Sequence, residues 1–285
     1  MEKVMEVFHT REGMQEKILR LKDRNMTVGF VPTMGALHQG HLALIECSLK
    51  QDDATVVSIF VNPTQFNRRD DYEEYPRDLT SDLQELEDRG VRIAFTPTEK
   101  EMYPEADNRV FDFGHLDQVM EGYYRPGHFN GVAKIVSKLF DVVMPHRAYF
   151  GEKDFQQLAV IRELNRQMGY NIRIVGCPIV RESDGLAMSS RNARLTNEQR
   201  KEAALISREL FDARNNMDQL SVGEVKERVI GRLNKNPHID VEYFEIVDEH
   251  TFKPISRWQE SNAQRGCIAA WIGGVRLIDN VKFSY

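Results

Sequence analysis

Apolar runs bounded by turn residues alternate with amphipathic stretches through the first two thirds of the chain, the pattern of βα units wound around a parallel sheet. Strands are predicted at 27–31, 55–61, 91–95, 147–150 and 172–175. Between them, one helix starts near Gly40 and carries Leu42, Leu44 and Ile45, and another runs over about 81–89 until Gly90 stops it as a C′ residue. Val132, Ile135, Val136, Leu139, Phe140 and Val143 share one helical face, and Pro145 ends that helix. A further helix opens near Asp154 and closes before Gly169, so that a strand, a short turn and a helix start follow one another within 147–157. The same succession occurs over 28–41.

Beyond Val180 the texture changes. A polar segment, 181–194, leads to Thr196, which opens a capping box with Gln199 and a long helix rich in Ala and Leu; Ser221 with Glu224 opens another. Strand-like runs at 241–247, 268–272 and 275–281 close the chain, with Gly273-Gly274 as a hairpin signal. A domain boundary is expected near 181, giving domains 1–181 and 182–285.

At 285 residues the chain is long enough for one large domain or two ordinary ones. Lys and Arg number 38 against 44 Asp and Glu, a net charge of -6, so no global attraction to nucleic acid or an anionic membrane exists, and no local basic patch replaces it. Three scattered cysteines, Cys47, Cys177 and Cys267, build neither a disulfide framework nor a CxxC metal pair. No run has the apolar length of a membrane span or signal-peptide core, and a reducing, cytoplasmic location is expected.

Chemistry concentrates in four places. Pro32-Thr33-Met34-Gly35-Ala36-Leu37-His38-Gln39-Gly40-His41 follows a strand and opens a helix. Its glycines let backbone approach a ligand, the helix start favours an anion, and the two imidazoles can donate to a phosphoryl group. A glycine-rich turn with two surface histidines is the plain alternative for so short a motif. In Ser58-Ile59-Phe60-Val61-Asn62-Pro63-Thr64-Gln65-Phe66 a strand runs into polar amides. Asn62 and Gln65 would point to the rim where open α/β sheets bind ligands; by itself the segment also reads as an Asn-Pro turn.

Gly151-Glu152-Lys153-Asp154-Phe155-Gln156-Gln157 places a lysine suited to polyphosphate at a helix start and Gln157 a turn further on, unless the run is a solvated charged turn. Met188-Ser189-Ser190-Arg191, behind the flexible Ser183-Asp184-Gly185, offers hydroxyls and a guanidinium that can close over a triphosphate, or an exposed interdomain linker. Arg125 and His128 are candidates to meet an anionic substrate, whereas 70–75 reads as a charged loop. Neither a Ser-His-Asp or Cys-His order nor zinc spacing is recognisable, so the polar groups suit alignment and electrostatic stabilisation.

The strings PTMGALHQGH, FVNPTQF, GEKDFQQL and MSSRN, in this order, closely resemble the pantothenate synthetase (pantoate-beta-alanine ligase) family over essentially the whole chain. That family lies in the nucleotidyltransferase superfamily with the class I aminoacyl-tRNA synthetases; its HxGH resembles their HIGH motif and the 188–191 run their KMSKS loop. The resemblance implies an α/β fold, a Rossmann-like parallel sheet with helices on both faces, plus a smaller α+β C-terminal domain acting as a lid, and a homodimer.

It also implies an ATP-dependent condensation of (R)-pantoate with beta-alanine through pantoyl adenylate, giving pantothenate, AMP and pyrophosphate. Met34, Gly35, Ala36, Leu37, His38, Gln39, Gly40 and His41 would hold ATP, with His38, His41 and Lys153 as catalytic residues. Gly151, Glu152, Lys153 and Asp154 would contact the nucleotide, Val180 would use its backbone near adenine, and Met188, Ser189, Ser190 and Arg191 would cover the triphosphate. Gln65 and Gln157 would bind pantoate, with Asn62, Arg125 and His128 on the substrate side. The family uses Mg²⁺; Asp82 is an outer ligand by a loose match and a helix-surface carboxylate otherwise.

Three other readings compete. A nucleotidyltransferase making a nucleotide-linked coenzyme or sugar would need no beta-alanine, and a non-catalytic nucleotide-binding module would release no pyrophosphate. A tRNA ligase is opposed by the acidic balance and the lack of length for an anticodon-binding domain. The ligase reading requires both histidines, the two glutamines and the lysine to face one pocket.

Overall fold

The computed structural model describes residues 4–283. Two compact units are present: one ends at Glu152 and resumes over Gln156–Pro178, and the other takes Lys153–Phe155 and the chain from Ile179 onward. The first contains, in chain order, β1 (Glu6–Phe8), α1 (Arg11–Lys22), β2 (Val28–Thr33), α2 (Gln39–Gln51), β3 (Ala54–Ile59), α3 (Arg69–Glu73), α4 (Leu79–Asp88), β4 (Ile93–Phe95), α5 (Glu99–Met102), α6 (Met120–Tyr124), α7 (His128–Val143), β5 (Arg147–Gly151), α8 (Phe155–Gln167, whose first residue groups with the second unit) and β6 (Arg173–Cys177).

Its six strands are all parallel in the order β1-β4-β3-β2-β5-β6, as the alternation of apolar runs predicts. Successive strand residues point to opposite faces, and the cores follow suit. Phe30, Val56, Ile93 and Phe95 pack with α1, α7 and α8, while Val31, Val57 and Ala94 pack with Leu42 and Ile45 of α2 and Leu86 of α4. Burial on both faces is why these strands read as continuous apolar runs. Strand order reverses at β2, with β3, β4 and β1 on one side and β5 and β6 on the other. The rim beyond the carboxyl ends of β2 and β5 is therefore the switch point where open sheets take ligands.

Several details differ from expectation. β1 and α1 were not anticipated, since a three-residue edge strand leaves too little periodicity to read. The charged run expected as a loop contains the short helix α3. β3 stops at Ile59, short of 61, whereas β2 runs on through Pro32 to Thr33. Pro32 is tolerated because its nitrogen lies on the β5 side of β2, where pairing has already ended at Phe30.

The second unit contains α9 (Asn197–Asn215), α10 (Val222–Leu233), β7 (Ile239–Asp248), β8 (Gln264–Ile272) and β9 (Val275–Lys282), with its strands antiparallel in that order. Both predicted capping boxes form, Thr196 with Gln199 and Ser221 with Glu224. Gly273 and Gly274 turn β8 into β9 with φ of 54° and 84°, a pair of angles that side chains disfavour. Among the described residues no helix is long and apolar enough to cross a membrane.

Candidate active site

The turn after β2 is shaped by backbone angles before any side chain acts. Gly35 (φ 80°) and Ala36 (φ 49°) are both left-handed, and a Cβ on residue 35 would lie 2.8 Å from Asp82 Oδ2. The turn delivers His38 to the N-cap of α2, where its Nδ1 accepts the Gly40 N–H at 3.1 Å. An accepting Nδ1 carries no proton, so the ring proton sits on Nε2. His41 lies one turn along, its ring centroid 4.0 Å from that of His38. Gln39, Gly40 and His41 thus occupy the first turn of α2, the positive end of the helix dipole.

Asp82 is not a helix-surface carboxylate. It is buried, and its two oxygens accept the N–H groups of Ala36 (2.9 Å) and Leu37 (2.8 Å). Burial pushes its pKa upward while those N–H groups oppose the rise. Each Asp82 oxygen accepts one backbone N–H, and among the described residues no group of three or more His, Cys, Asp or Glu side chains gathers to hold a cation.

Asn62 follows β3 and is 1% exposed, with its amide fully engaged inside the protein. Its Nδ2 donates to Gly131 O and Gln65 Oε1, both at 3.1 Å, while its Oδ1 accepts from the Tyr103 hydroxyl (2.7 Å) and the Thr64 hydroxyl (3.1 Å). Asn62 therefore holds Gln65 in place and has no capacity left for a ligand. The Gln65 Nε2 donates at 2.9 Å to Met34 Sδ, which ties the turn after β3 to the turn after β2. A thioether is a weak acceptor, one that a carboxylate or hydroxyl outcompetes.

Arg125 and His128 are also turned toward the protein. Arg125 pairs with Glu121 at 3.3 Å and meets His128 Nε2 at 3.1 Å, while His128 Nδ1 meets the Gln65 carbonyl at 2.8 Å. A guanidinium only donates and a carbonyl only accepts, so His128 is the neutral Nδ1–H tautomer and steadies the Gln65 backbone. Of the two adjacent glutamines on α8, Gln156 is structural, its amide donating to the carbonyls of Leu116 (2.6 Å) and Val119 (2.8 Å) and accepting the Glu121 N–H (3.0 Å). Gln157 is partly exposed, and among the described residues its amide has no hydrogen-bond partner. Gly151 ends β5 and Glu152 begins the single 3₁₀ turn that leads toward α8.

Comparison with known proteins decides the family. The family model described as pantoate-beta-alanine ligase matches residues 6–282. The chain belongs to the pantoate-beta-alanine ligase family. It is 53% identical over 279 residues to the pantothenate synthetase of Bacteroides thetaiotaomicron, covering 98% of this chain and 99% of the relative. The crystal structure of pantothenate synthetase from Thermus thermophilus superimposes with a TM-score of 0.92 at 43% identity, covering 99% of this chain and 100% of that one. The pantoate-beta-alanine ligase of Francisella tularensis, crystallised in complex with beta-gamma ATP and beta-alanine, matches with a TM-score of 0.84 at 33% identity over 98% of both chains. As a pantoate-beta-alanine ligase, the chain joins pantoate to beta-alanine in pantothenate biosynthesis.

The remaining family positions belong to the second unit. Lys153 is the residue whose grouping the sequence concealed: it follows β5 in the chain but packs with the C-terminal strands. Its carbonyl accepts the Asn280 Nδ2–H at 2.9 Å, its ammonium lies 4.0 Å from Asp154 Oδ2, and Phe155 stacks on Phe252 (4.8 Å) beneath the Arg265 guanidinium (4.2 Å). The segment expected to be flexible is a laced turn in this ligase. Glu182 N–H donates to Leu186 O at 2.8 Å, Met188 N–H to Val180 O at 3.0 Å, and Arg200 bridges Glu182 and Asp184. Val180 thus has its carbonyl occupied. Ser189 caps the 3₁₀ turn that carries Ser190 and Arg191, its hydroxyl accepting the Arg191 N–H at 3.2 Å.

Proposed function

We propose that the ligation proceeds in two steps on ATP. A pantoate carboxylate oxygen attacks the α-phosphorus, the bond to the β-phosphate breaks, and pyrophosphate leaves with the electron pair. The beta-alanine amine then attacks the acyl carbon of pantoyl adenylate, AMP departs, and the nitrogen gives up a proton. Activation is needed because a carboxylate is a poor acyl donor, whereas its anhydride with AMP has a good leaving group.

The observation that supports this reading best is the Gln65 amide, whose Oε1 is held by Asn62 while its Nε2 rests on the weak acceptor Met34. It would take pantoate together with Gln157. The α2 N-terminus with His38 and His41 would stabilise charge on the phosphates, and Lys153, Met188, Ser189, Ser190 and Arg191 would supply further donors to the leaving pyrophosphate. Mg²⁺ belongs to the proposal as a companion of ATP rather than a resident ion. We also propose that 1–181 binds nucleotide and pantoate while 182–285 serves as a lid, that the enzyme is a cytoplasmic homodimer, and that nucleic acid and membrane are not partners.

Pyrophosphate exchange into ATP tests the chemistry. Exchange should require pantoate and proceed without beta-alanine, and AMP should accumulate with pantothenate only after beta-alanine is added. Failure of pantoate to elicit exchange, against a panel of small acids, would reject the adenylate.

A further inference from the structure

We propose that Tyr103 is a positioning residue that sets, through Asn62, which end of the Gln65 amide is offered to the acid substrate. The inference rests on the reading of Gln65 as a pantoate ligand.

The two ends of a primary amide have nearly the same shape and opposite hydrogen-bonding character, so packing alone does not orient them. The orientation is imposed here by one group that has no choice of role and is reinforced by a phenol that is already donating. Gly131 O can only accept, which turns Asn62 Nδ2 toward it at 3.1 Å. Asn62 Oδ1 then faces the Tyr103 hydroxyl, which donates its proton at 2.7 Å. Burial pushes the phenol up to about 12, so it keeps that proton over the working range of the enzyme.

The second Nδ2 hydrogen of Asn62 meets Gln65, whose nearer atom must accept and is therefore Oε1, at 3.1 Å. Gln65 Nε2 is left as the donor at 2.9 Å from Met34 Sδ, the polarity that a carboxylate or hydroxyl oxygen demands. Reversing the Asn62 amide would set an acceptor against the Gly131 carbonyl and forfeit the bond that the Tyr103 hydroxyl donates, and would release Gln65 to turn over. Tyr103 is itself fixed at the C-cap of α5, with its ring 6.4 Å from Phe60 and 5.2 Å from the Lys138 ammonium, which Asp107 holds at 3.3 Å.

Tyr103→Phe removes the hydroxyl and keeps the ring. In the full-length enzyme it should raise KM for pantoate about tenfold, the loss of a single hydrogen bond's worth of orientation, while KM for ATP and kcat change less than about threefold and Tm stays within about 2 °C. A merely structural tyrosine would instead lower Tm or shift both KM values together, and either pattern would overturn the proposal. Gln65→Ala is measured beside it. If it leaves pantoate KM unchanged, the reading of Gln65 is wrong and the proposal goes with it. If Gln65→Ala raises pantoate KM but Tyr103→Phe does not, the role of Tyr103 alone fails. In the double variant Tyr103→Phe should add nothing to the effect of Gln65→Ala, and additive losses would show that Tyr103 acts by another route.

Discussion

Asp82 and Ala36 stand 46 positions apart, yet Asp82 Oδ2 accepts the Ala36 N–H at 2.9 Å while Ala36 holds a left-handed φ of 49°. The other oxygen takes the Leu37 N–H at 2.8 Å. One carboxylate on α4 thus holds a strained turn that brings two histidines to a helix start. Asp82→Ala removes the carboxylate that accepts both part-buried N–H groups and should cost about 1–3 kcal/mol in a urea melt. It should also raise KM for ATP several-fold, with pantoate KM less affected. Unaltered nucleotide affinity in a destabilised variant would confine Asp82 to stability alone.

Gly131 is where α7 meets the turn after β3. A Cβ there would sit 2.1 Å from Thr64 O and 2.7 Å from Gln65 Cα, both backbone atoms with nowhere to rotate. Gly131→Ala should therefore move the Asn62 turn, at a cost of about 1–3 kcal/mol. The folded enzyme should lose pantoate affinity while still binding ATP. Calorimetric titration with each substrate separates these outcomes, and equal loss of both affinities would contradict the assignment.

His41 shares the first turn of α2 with Gly40, its ring tilted 33° to that of His38 with the centroids 4.0 Å apart. Removing a donor aimed at developing phosphate charge typically slows chemistry by about two to three orders of magnitude. His41→Ala should slow adenylate formation in a single turnover by that much and leave the melting temperature nearly unchanged. A wild-type single-turnover rate would take His41 out of its proposed role.

Acid sensitivity has a specific source in the second unit. Hydrogen bonds from the Ser261 hydroxyl, and from the Thr251 and His250 N–H groups and the Thr251 hydroxyl, hold the Asp248 carboxyl down to about 2, from an ordinary 3.8. A depressed folded-state pKa means that the ionised carboxylate favours the fold. Its contribution is complete above about pH 3.8 and is lost as pH falls toward 2. Melting temperature should drop through that window in the wild type, and Asp248→Asn should flatten this part of the profile. Identical profiles for the two proteins would refute the assignment.

Much of this architecture can be read without coordinates. The continuous apolar run around Val57, the period-3.6 pattern around Val136, the capping boxes at Thr196 and Ser221 and the Gly273-Gly274 turn are local, because each depends on residues within a turn or two of one another. The motif strings likewise carried the family. Less legible were the roles inside the site. Asn62 looks like a substrate ligand until Gly131, 69 positions away, is seen to occupy it. Asp82 looks like a surface acid until Ala36 and Leu37 are placed beside it, and nothing near Tyr103 in the chain announces Asn62 as its partner.

The sequence by itself determined most of the order of elements and the parallel sheet, since periodicity and capping act over short stretches of chain, and its resemblance to a family carried the reaction class. Tertiary structure alone decided which amides remain available to a substrate, which unit takes Lys153, and which way Gln65 faces. Hydrogen-bond capacity is finite and is consumed by whatever the fold brings within about 3 Å, and that proximity is set by packing rather than by neighbouring residues.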